Sequence, residues 1–453
     1  MAQAIQEKGP ASRTLIVGLG ATGLSCARFL VGQGVQVAVA DSRTEPPGLE
    51  ALNAECPDVA VFLGPFDERL FDSVERLVVS PGVPLSTPAI AAARAHGVPV
   101  IGDIELFAAA ARAPIVAITG SNGKSTVTTL VGEMARASGV KVAVGGNLGT
   151  PALDLLDDAA ELYVLELSSF QLETTETLQA AVAAVLNVSA DHMDRYPGVA
   201  DYAAAKARVM HGAGVGVFNA DDPAVAAMAG ADDAWYFTLG AAENSKMFGV
   251  YRIDGQDYLC RAEQPLLSTA ELKIPGLHNR ANALAALAIG TALGFDLGSM
   301  LDVLRNFRGL PHRTEFVARI NDVDWYNDSK GTNVGASIAA LQGLDQGDGS
   351  RTVLIAGGDC KGANFAPLAA VLAGCARAVV LIGRDAADIA AIVPDSVERV
   401  SARDMDDAVA KAATLAHPGD RVLLSPACAS FDMFTGYVQR GDRFMRAVRR
   451  LAR

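Results

Sequence analysis

Short apolar, strand-like runs alternate along the chain with longer helix-like segments. The first series contains "TLIVGL", "VQVAVAD", "RLVVSPG" and "VPVIGD", and the pattern restarts at "PIVAITG" and again at "VDWYNDS". Such alternation is typical of α/β domains built on parallel sheets. We therefore predict an α/β protein with three domains, at residues 1–102, 103–308 and 309–453.

The pattern changes between Trp235 and Pro275. There "WYFTLG", "MFGVYRI" and "DYLCRA" follow one another as short β-rich runs without an obvious helix between them. Consecutive strands joined by short loops are usually antiparallel. We expect a small antiparallel β region attached to the mainly parallel sheet of the central domain.

Composition narrows the function classes. The 453-residue chain has a formal net charge of -13, which disfavours sequence-independent binding to nucleic acid or to an anionic membrane. The start of the chain, "MAQAIQEKGPASRT", lacks the apolar segment of a secretory signal, and the six cysteines form no C-x-x-C pair. We expect a cytoplasmic protein with reduced thiols.

A glycine turn follows the first strand-like run. Gly18, Gly20 and Gly23 have the G-x-G-x-x-G spacing of a dinucleotide-binding turn, and Asp41 ends the next apolar run, where a ribose-binding acid is expected. The turn predicts a Rossmann-like first domain. Taken alone, it favours an NAD-dependent oxidoreductase.

The most informative segment is "ITGSNGKSTVTTL", in which a strand leads through glycines into a helix. Backbone N–H groups of such a turn and the helix N-terminus bind phosphate, and Lys124 would neutralise its charge. A hydroxyl of Ser125 or Thr126 could ligate Mg²⁺. Because Ile118 occupies the first glycine position of the strict G-x-x-x-x-G-K-[ST] pattern, this is a variant P-loop.

Two further strand ends offer metal ligands. Glu166 interrupts an apolar run, which favours a Mg²⁺ ligand over an ordinary loop acid. Asp191, His192 and Asp194 crowd another strand end, and their spacing is equally consistent with a second cation site and with a structural turn.

Other polar residues give weaker signals. Lys206, in "YAAAKARVM", is by default a solvent-exposed helical lysine, and Asn279 and Asn282 could bind a polar ligand or cap their helix. Polar residues also follow strands nearer the C-terminus, where ordinary loop chemistry explains each one alone: Arg313, Asp328, Lys330, Thr332, Ser425 and Ser430.

Together these segments resemble the ATP-dependent Mur ligases of peptidoglycan synthesis. The resemblance covers nearly the whole chain and rests on the ordered segments "GLGATGLS", "GDIELF", "AITGSNGKSTVTTLVGEM", "GGNLGTPAL", "YVLELSSFQLET", "LNVSADHMDRYP", "NADD", "HNRANALAA", "LPHR", "NDSKGTN" and "LLSPACASFDMF". Within the family, "GDIELF", "ELSSFQLE" and "DHMDRYP" favour the ligase that adds D-glutamate. Tyr437 and Cys360 depart from the family pattern, in which a phenylalanine and a smaller residue are usual.

The resemblance implies three functions for the three domains. The Rossmann-like N-terminal domain would bind a UDP-muramoyl substrate, the P-loop-type central domain ATP, and the Rossmann-like C-terminal domain the incoming amino acid. The implied reaction joins D-glutamate to UDP-N-acetylmuramoyl-L-alanine through an acyl phosphate and a tetrahedral intermediate. It would use ATP and two Mg²⁺ ions, in a cytoplasmic monomer that binds neither nucleic acid nor membrane.

The resemblance also implies residue roles. Catalysis would depend on Lys124, Glu166, His192 and Lys206, and the metal ligands would be Ser125, Glu166, His192 and a carbamylated Lys206. The implied ATP-binding residues are Gly120, Ser121, Asn122, Gly123, Lys124, Ser125, Thr126, Asn279, Asn282, Arg313 and Asp328. Those for the UDP substrate are Gly20, Ala21, Thr22, Ser42, Arg43, Gly82, Asn147, Ser168 and Gln171. Those for D-glutamate are Lys330, Thr332, Lys361, Ser430 and Phe431.

Three alternatives stay open on sequence alone. An NAD-dependent oxidoreductase would explain the glycine turn but leave the P-loop and both candidate metal sites without a role. A non-catalytic nucleotide-binding protein of the same fold would bind ATP without turnover. A sister ligase, or one specific for L-glutamate, would share the mechanism but differ in the amino-acid pocket.

Overall fold

The computed structural model describes residues 13–230, 234–345, 349–360 and 362–451. It contains three separate sheets of five, nine and six strands, each flanked by helices. None of the helices in these ranges is long and apolar enough to cross a membrane.

The first sheet has the strand order β3-β2-β1-β4-β5, and all its pairings are parallel. Its strands are β1 (Arg13–Val17), β2 (Gln36–Asp41), β3 (Ala60–Leu63), β4 (Arg76–Val79) and β5 (Val100–Ile101). The helices of this part are α1 (Ala21–Gly32), α2 (Leu49–Glu55), α3 (Glu68–Asp72) and α4 (Pro88–Ala95). Helix α5 (Asp103–Ala110) leads to the second sheet.

The second sheet has the order β14-β13-β12-β11-β10-β9-β6-β8-β7. Its strands are β6 (Ile115–Thr119), β7 (Val142–Gly146), β8 (Leu162–Glu166), β9 (Val182–Val185), β10 (Val215–Asn219), β11 (Ala234–Phe237), β12 (Met247–Ile253), β13 (Gln256–Arg261) and β14 (Gln264–Ser268). The helices are α6 (Lys124–Ala137), α7 (Ser169–Leu172), α8 (Val199–Ala207), α9 (Pro223–Ala226), α10 (Leu277–Ala292) and α11 (Leu297–Asn306).

The β-rich region after Trp235 is only partly antiparallel. Strands β12, β13 and β14 pair antiparallel, as expected. The "WYFTLG" run is different, because β11 pairs parallel with both β10 and β12. The expectation that this run belongs to the antiparallel part was wrong: a long connection, not a tight turn, joins β10 to β11 and allows parallel pairing.

The third sheet has the order β15-β16-β20-β17-β18-β19. Its strands are β15 (Glu315–Ile320), β16 (Val323–Asn327), β17 (Thr352–Gly357), β18 (Ala376–Ile382), β19 (Glu398–Ser401) and β20 (Arg421–Leu424). The helices are α12 (Val334–Leu344), α13 (Ala366–Cys375), α14 (Ala386–Ala390), α15 (Met405–Leu415) and α16 (Tyr437–Leu451).

An antiparallel hairpin opens the third sheet. The sequence pattern predicts β16 as the first strand of this series and gives no prediction for β15, which pairs antiparallel with β16. Asn321 and Asp322 form the turn with φ angles of 52° and 61°, a left-handed conformation that Asn and Asp tolerate better than most residues. The hairpin follows Arg313 and leads through β16 to the polar segment at Asp328.

Candidate functional site

A glycine turn between β6 and α6 forms the centre of the candidate site. Gly123 precedes the helix with a φ of 83°, and a Cβ there would lie 2.4 Å from Asn282 Oδ1, so glycine is the residue that fits. Lys124 folds back over the turn, and its Nζ donates to the carbonyls of Gly120 at 2.8 Å and Ser121 at 3.0 Å. Lys124 therefore cross-links the turn, at a helix N-terminus of the kind that binds phosphate.

Glu166 ends β8 close to this turn. Its Oε1 accepts a 2.6 Å hydrogen bond from Asn147, whereas the buried Oε2 makes no hydrogen bond within the described residues. Burial raises the pKa of Glu166, but the Lys124 ammonium, the Ser125 hydroxyl and the Asn147 amide together outweigh burial and keep that pKa below its ordinary value. A buried carboxylate oxygen without a donor is suited to a cation.

Lys206 lies on the buried face of α8, 1% exposed. Its Nζ donates to the Gly120 carbonyl at 2.8 Å and lies 4.3 Å from the centre of the Tyr202 ring. The default interpretation of Lys206 as solvent-exposed was therefore wrong. Burial, together with the nearby Lys124 ammonium, lowers the pKa of Lys206 well below its ordinary value.

His192 belongs to the same cluster through Tyr202, whose ring centre is 6.3 Å from that of His192. The His192 backbone has a φ of 58°, and the ring packs edge-on against Phe170 at 4.7 Å. No group of three or more His, Cys, Asp or Glu side chains in the described residues could hold a metal ion on its own. A divalent ion here would need further oxygen ligands, from hydroxyls, a modified lysine or a bound phosphate.

A cleft of about 130 Å³ lies beside the turn, between α6, α10 and the third sheet. It brings together residues that are far apart in sequence, and the candidate ATP residues lining it are Asn122, Gly123, Thr126, Asn279, Asn282, Arg313 and Asp328. Asn279 and Asn282 are linked by a 3.2 Å hydrogen bond, and Asn279 also donates to the Pro275 carbonyl at 2.7 Å. The two amides are therefore positioned by each other and by the start of α10.

Two residues of the third part of the chain, Arg313 and Asn333, bond to the P-loop turn. Arg313 Nη2 donates to Ser125 Oγ at 2.7 Å. Asn333 Nδ2 donates to Asn122 Oδ1 at 3.1 Å and to Asp191 Oδ2 at 3.0 Å, while its Oδ1 caps α12 through the Ala336 N–H. Sequence analysis missed Asn333. Its position directly before a helical run, at the end of "NDSKGTN", is an N-cap signal but does not reveal a partner 211 residues away.

Asp328 and Lys330 follow β16. Burial raises the pKa of Asp328 to about 6, although its oxygens accept hydrogen bonds from Ser425 Oγ at 2.7 Å and Thr314 N–H at 3.1 Å. Burial, with the Arg313 charge, lowers the pKa of Lys330 to about 8. The Lys330 Nζ lies 4.1 Å from the centre of the Tyr437 ring. An ammonium over a ring, without an ion pair among the described residues, is suited to an anionic ligand.

The other residues predicted to bind D-glutamate differ in their solvent exposure. Thr332 is half-buried, Ser430 is 3% exposed and Phe431 is 69% exposed. Lys361 lies outside the described residues. The sequence predicts only ordinary loop chemistry for Ser425, but this residue is fully buried and donates to Asp328, so it supports that acid.

The glycine turn of the first domain has a strict steric requirement. A Cβ on Gly23 would lie 1.9 Å from the Gly18 carbonyl oxygen, so helix α1 can approach β1 only with glycine there. Asp41 accepts from the Leu19 N–H at 2.7 Å and from the Arg43 guanidinium at 2.6 Å. Burial raises the pKa of Asp41, but these bonds outweigh it and lower the pKa to about 2. Asp41 therefore supports the turn and Arg43.

The remaining candidate UDP-substrate residues divide into two groups. Ala21, Ser42, Arg43 and Gly82 are exposed, and Gly20 and Thr22 are partly exposed, around the glycine turn. Ser168 and Gln171 instead form a capping box at the start of α7, and Gln171 Nε2 donates to Asp103 Oδ2 at 2.9 Å. Gln171 is 3% exposed, so its side chain has a structural partner in the ligand-free protein.

Family models match the three parts of the chain in order. They are described as "Mur ligase MurD-like, N-terminal domain" over residues 12–102, "Mur ligase middle domain" over 118–290 and "Mur ligase, glutamate ligase domain" over 312–428.

Two curated relatives match over nearly full length. Both are named UDP-N-acetylmuramoylalanine--D-glutamate ligase. The relative from Marinobacter nauticus is 56% identical over 96% of this chain and 98% of its own, and the one from Nitrosococcus oceani is 53% identical over 97% of each.

Two solved structures share the fold at low sequence identity. The UDP-N-acetylmuramate-alanine ligase MurC from Thermotoga maritima superposes with a TM-score of 0.61 at 18% identity, covering 97% of this chain and 99% of its own. MurF from Acinetobacter baumannii gives a TM-score of 0.60 at 17% identity, covering 96% of this chain and 93% of its own.

Proposed function

The chain belongs to the Mur ligase family, and on that premise we propose that it joins D-glutamate to the alanyl carboxyl of UDP-N-acetylmuramoyl-L-alanine with cleavage of ATP. The observation that supports this most directly is the site between the second and third sheets. There Gly123 of the P-loop turn and Arg313 line one cleft, and Arg313 also donates to Ser125. Lys124 and Glu166, the acid with an unpartnered oxygen, lie next to that turn. The curated relatives supply the identity of the two substrates.

The reaction must first bring two anions together. A carboxylate oxygen attacks the γ-phosphorus of ATP, ADP leaves, and an acyl phosphate remains. Lys124 and Arg313 are placed to offset the repulsion between triphosphate and carboxylate, because both lie at the P-loop turn. The amine of D-glutamate then attacks the acyl carbon, and the tetrahedral intermediate expels phosphate to leave an amide.

The donor set fits Mg²⁺ when ATP completes it. We assign one ion to Ser125 and Glu166, whose Oε2 has no other partner in the described residues, and a second to His192 and Lys206. Bound Mg²⁺ would supply positive charge at the phosphates. The protein's part is to hold these ligands around the turn: Ser125 on α6, Glu166 on β8, His192 in the loop after β9 and Lys206 on α8.

Lys206 would act as a carbamate. A neutral amine adds CO₂ to give an anionic carbamate and releases one proton, so the lysine must first lose its charge. The burial that lowers the pKa of Lys206 favours that neutral form. The carbamate oxygens would then add negative charge to the His192 side, where the Asp191 carboxylate lies 3.8 Å from His192 Nε2.

The third domain would bind the incoming amino acid. We assign Lys330, Thr332, Lys361, Ser430 and Phe431 to D-glutamate, with the ammonium of Lys330 facing a carboxylate. The exposed and partly exposed residues around the glycine turn would bind the UDP group: Gly20, Ala21, Thr22, Ser42, Arg43 and Gly82. Asn147, Ser168 and Gln171 would lie nearer the reacting carboxyl. We keep the domain borders at residues 1–102, 103–308 and 309–453.

The substrates also suggest where the protein works. UDP-linked precursors and ATP are soluble, so we propose a cytoplasmic monomer that binds neither membrane nor nucleic acid. Light scattering on the eluted peak of a sizing column would test the monomer, since a dimer would give twice the 46.9 kDa of the chain.

Phosphate release tests the proposed function. The protein is incubated with ATP, Mg²⁺ and UDP-N-acetylmuramoyl-L-alanine, with D-glutamate, L-glutamate or no amino acid, and Lys124→Ala is the inactive control. We expect release only with D-glutamate. Dependence on L-glutamate would keep the mechanism and overturn the pocket assignment, and ATP binding without release under any condition would favour the non-catalytic alternative. Protection from thermal unfolding by NADH instead of UDP would favour the oxidoreductase.

A further inference from the structure

Two buried thiols face each other at one end of the third sheet. Cys360 follows β17, Cys428 follows β20, and their Sγ atoms are 2.9 Å apart. Both are free cysteines, with relative exposures of 5% and 1%. Two sulfurs this close are in contact before any bond forms between them.

The backbone on either side explains the contact. Asp359 and Ala429 form an isolated antiparallel bridge in which each N–H donates to the other's carbonyl, at 3.0 Å and 2.9 Å. The next pair along such a bridge, Cys360 and Cys428, is a non-hydrogen-bonded pair, whose Cα atoms are typically about 4.5 Å apart with side chains on one face. Disulfides span Cα separations of roughly 4.4–6.8 Å, so the backbone already has a compatible spacing.

The other four cysteines are arranged differently. Within the described ranges, Cys360 and Cys428 are the one pair of sulfurs in contact. Cys375 Sγ donates to the Val371 carbonyl at 3.1 Å, and Cys260 Sγ donates to the Tyr258 carbonyl at 3.5 Å. A contact between sulfurs is therefore specific to this end of the third sheet.

We propose that Cys360 and Cys428 form a reversible disulfide when the protein reacts with a hydroperoxide. Cys360, the more exposed of the two residues, attacks the peroxide with its sulfur: an S–O bond forms, the O–O bond breaks, and an alcohol or water leaves. The Cys428 sulfur then attacks the sulfenic acid, an S–S bond forms, the S–O bond breaks, and water leaves with the thiol proton. Two electrons pass from the two sulfurs to the peroxide. An added dithiol reduces the disulfide back to two thiols by exchange and is itself oxidised to a disulfide.

The bond would join two of the three segments assigned to D-glutamate, and Lys330 and Thr332 lie in the third. Cys360 directly precedes Lys361, and Ser430 lies two residues beyond Cys428. The Cys428 loop is also held by Arg440. The buried Arg440 guanidinium donates hydrogen bonds to the carbonyls of Cys428 at 3.0 Å and Ala429 at 3.3 Å. A disulfide would remove the remaining freedom of the loops to adjust around the amino acid. This consequence rests on the proposed function: we expect a severalfold higher KM for D-glutamate and an unchanged KM for ATP.

Peptide mapping tests the bond itself. The full-length protein is treated with hydrogen peroxide, free thiols are blocked with N-ethylmaleimide, and the non-reduced digest is analysed by mass spectrometry. We expect one cross-linked pair that contains Cys360 and Cys428, lost on dithiothreitol treatment and absent from Cys360→Ala and Cys428→Ala. Cys26→Ala is the matched control and should still form it. Recovery of both cysteines as maleimide adducts, or oxidation to sulfinic acid without a cross-link, would overturn the proposal.

Kinetics on the same samples tests the consequence. Oxidised wild-type protein should show the raised KM for D-glutamate, whereas peroxide-treated Cys360→Ala should match its untreated form. A cross-linked enzyme with unchanged KM would refute the regulatory effect. Reduced protein that lacks any D-glutamate-dependent phosphate release would refute the proposed function, while the peptide map would still decide the disulfide.

Discussion

We expect Lys330→Met to stabilise the ligand-free protein while removing its response to D-glutamate. The Lys330 ammonium is largely buried over the Tyr437 ring and makes no ion pair within the described residues. Methionine keeps a flexible stem of similar length against the ring but brings no charge. The substitution therefore isolates the free-energy cost of holding an ammonium where a ligand carboxylate would bind.

The size of the expected stabilisation follows from the pKa of Lys330. Burial and the Arg313 charge lower that pKa from 10.5 to about 8. One pKa unit corresponds to about 1.4 kcal/mol, so the charged form destabilises the fold by about 3 kcal/mol. The favourable contact between the ammonium and the Tyr437 ring offsets roughly 0.5–1 kcal/mol of that cost. At pH 7 the variant should be about 2 kcal/mol more stable than the wild type.

The pH dependence has a definite sign. Below pH 8 the lysine is protonated in both the folded and unfolded states, and its full cost is present. Between pH 8 and 10.5 the unfolded chain binds more protons than the folded one, so wild-type stability rises with pH relative to the variant. The advantage of Lys330→Met should fall below about 1 kcal/mol by pH 10.

Urea unfolding can be followed in this domain alone. The chain has two tryptophans, and Trp325 is buried in the third domain, so a Trp235→Phe background reports the unfolding of that domain by fluorescence. Lys411→Met is the control, since that lysine pairs with Asp407 at 2.9 Å and its loss should cost at most about 1 kcal/mol. A Lys330→Met protein that is less stable than wild type, or whose advantage is the same at pH 7 and pH 10, would refute the reasoning.

Four further outcomes are expected. Lys124→Ala should abolish phosphate release yet leave calorimetric binding of UDP-N-acetylmuramoyl-L-alanine nearly unchanged, and loss of both would contradict the assignment of that substrate to the first domain. Lys206→Ala should be nearly inactive and regain activity with short carboxylic acids, whereas full activity without them would exclude a carbamate role. Asn333→Ala should lose about 1 kcal/mol of stability as an N-cap and raise the KM for ATP severalfold, while Asn333→Asp, which keeps the cap, should recover only stability. Burial raises the pKa of Asp103 to about 6, so Asp103→Asn should stabilise the protein at pH 8 but not at pH 4, as urea unfolding at the two values would show.

Much of the architecture was predictable because it is encoded locally. Apolar runs between polar and glycine residues predicted three α/β units, and the fold class is confirmed by three Mur ligase domain matches. The glycine turns could be recognised because only glycine fits their backbone, as at Gly23 and Gly123. The missed β15 strand and the parallel pairing of β11 depend on which neighbour each strand finds, and periodicity does not specify that partner.

The candidate site, like the fold, was predictable only in part from the sequence. Residue roles were proposed from motifs, but burial and contact could not be predicted from spacing alone. Lys206 lies four residues after the buried Tyr202, which is the helical spacing of a shared face, yet the alanine-rich segment gives no sign that this face is covered. Asn333 and Arg313 meet the P-loop across 211 and 188 residues of sequence.

The sequence by itself determined the order of the domains, the two glycine turns and the chemical types of the candidate site residues, because these depend on residues that are close neighbours in the chain. Only the tertiary structure decided which charges are buried, which acid oxygen lacks a partner and which two cysteines touch. Those properties depend on atoms from distant segments that exclude water from the same small volume, and the free energy of a charge or a thiol is set by that surrounding volume.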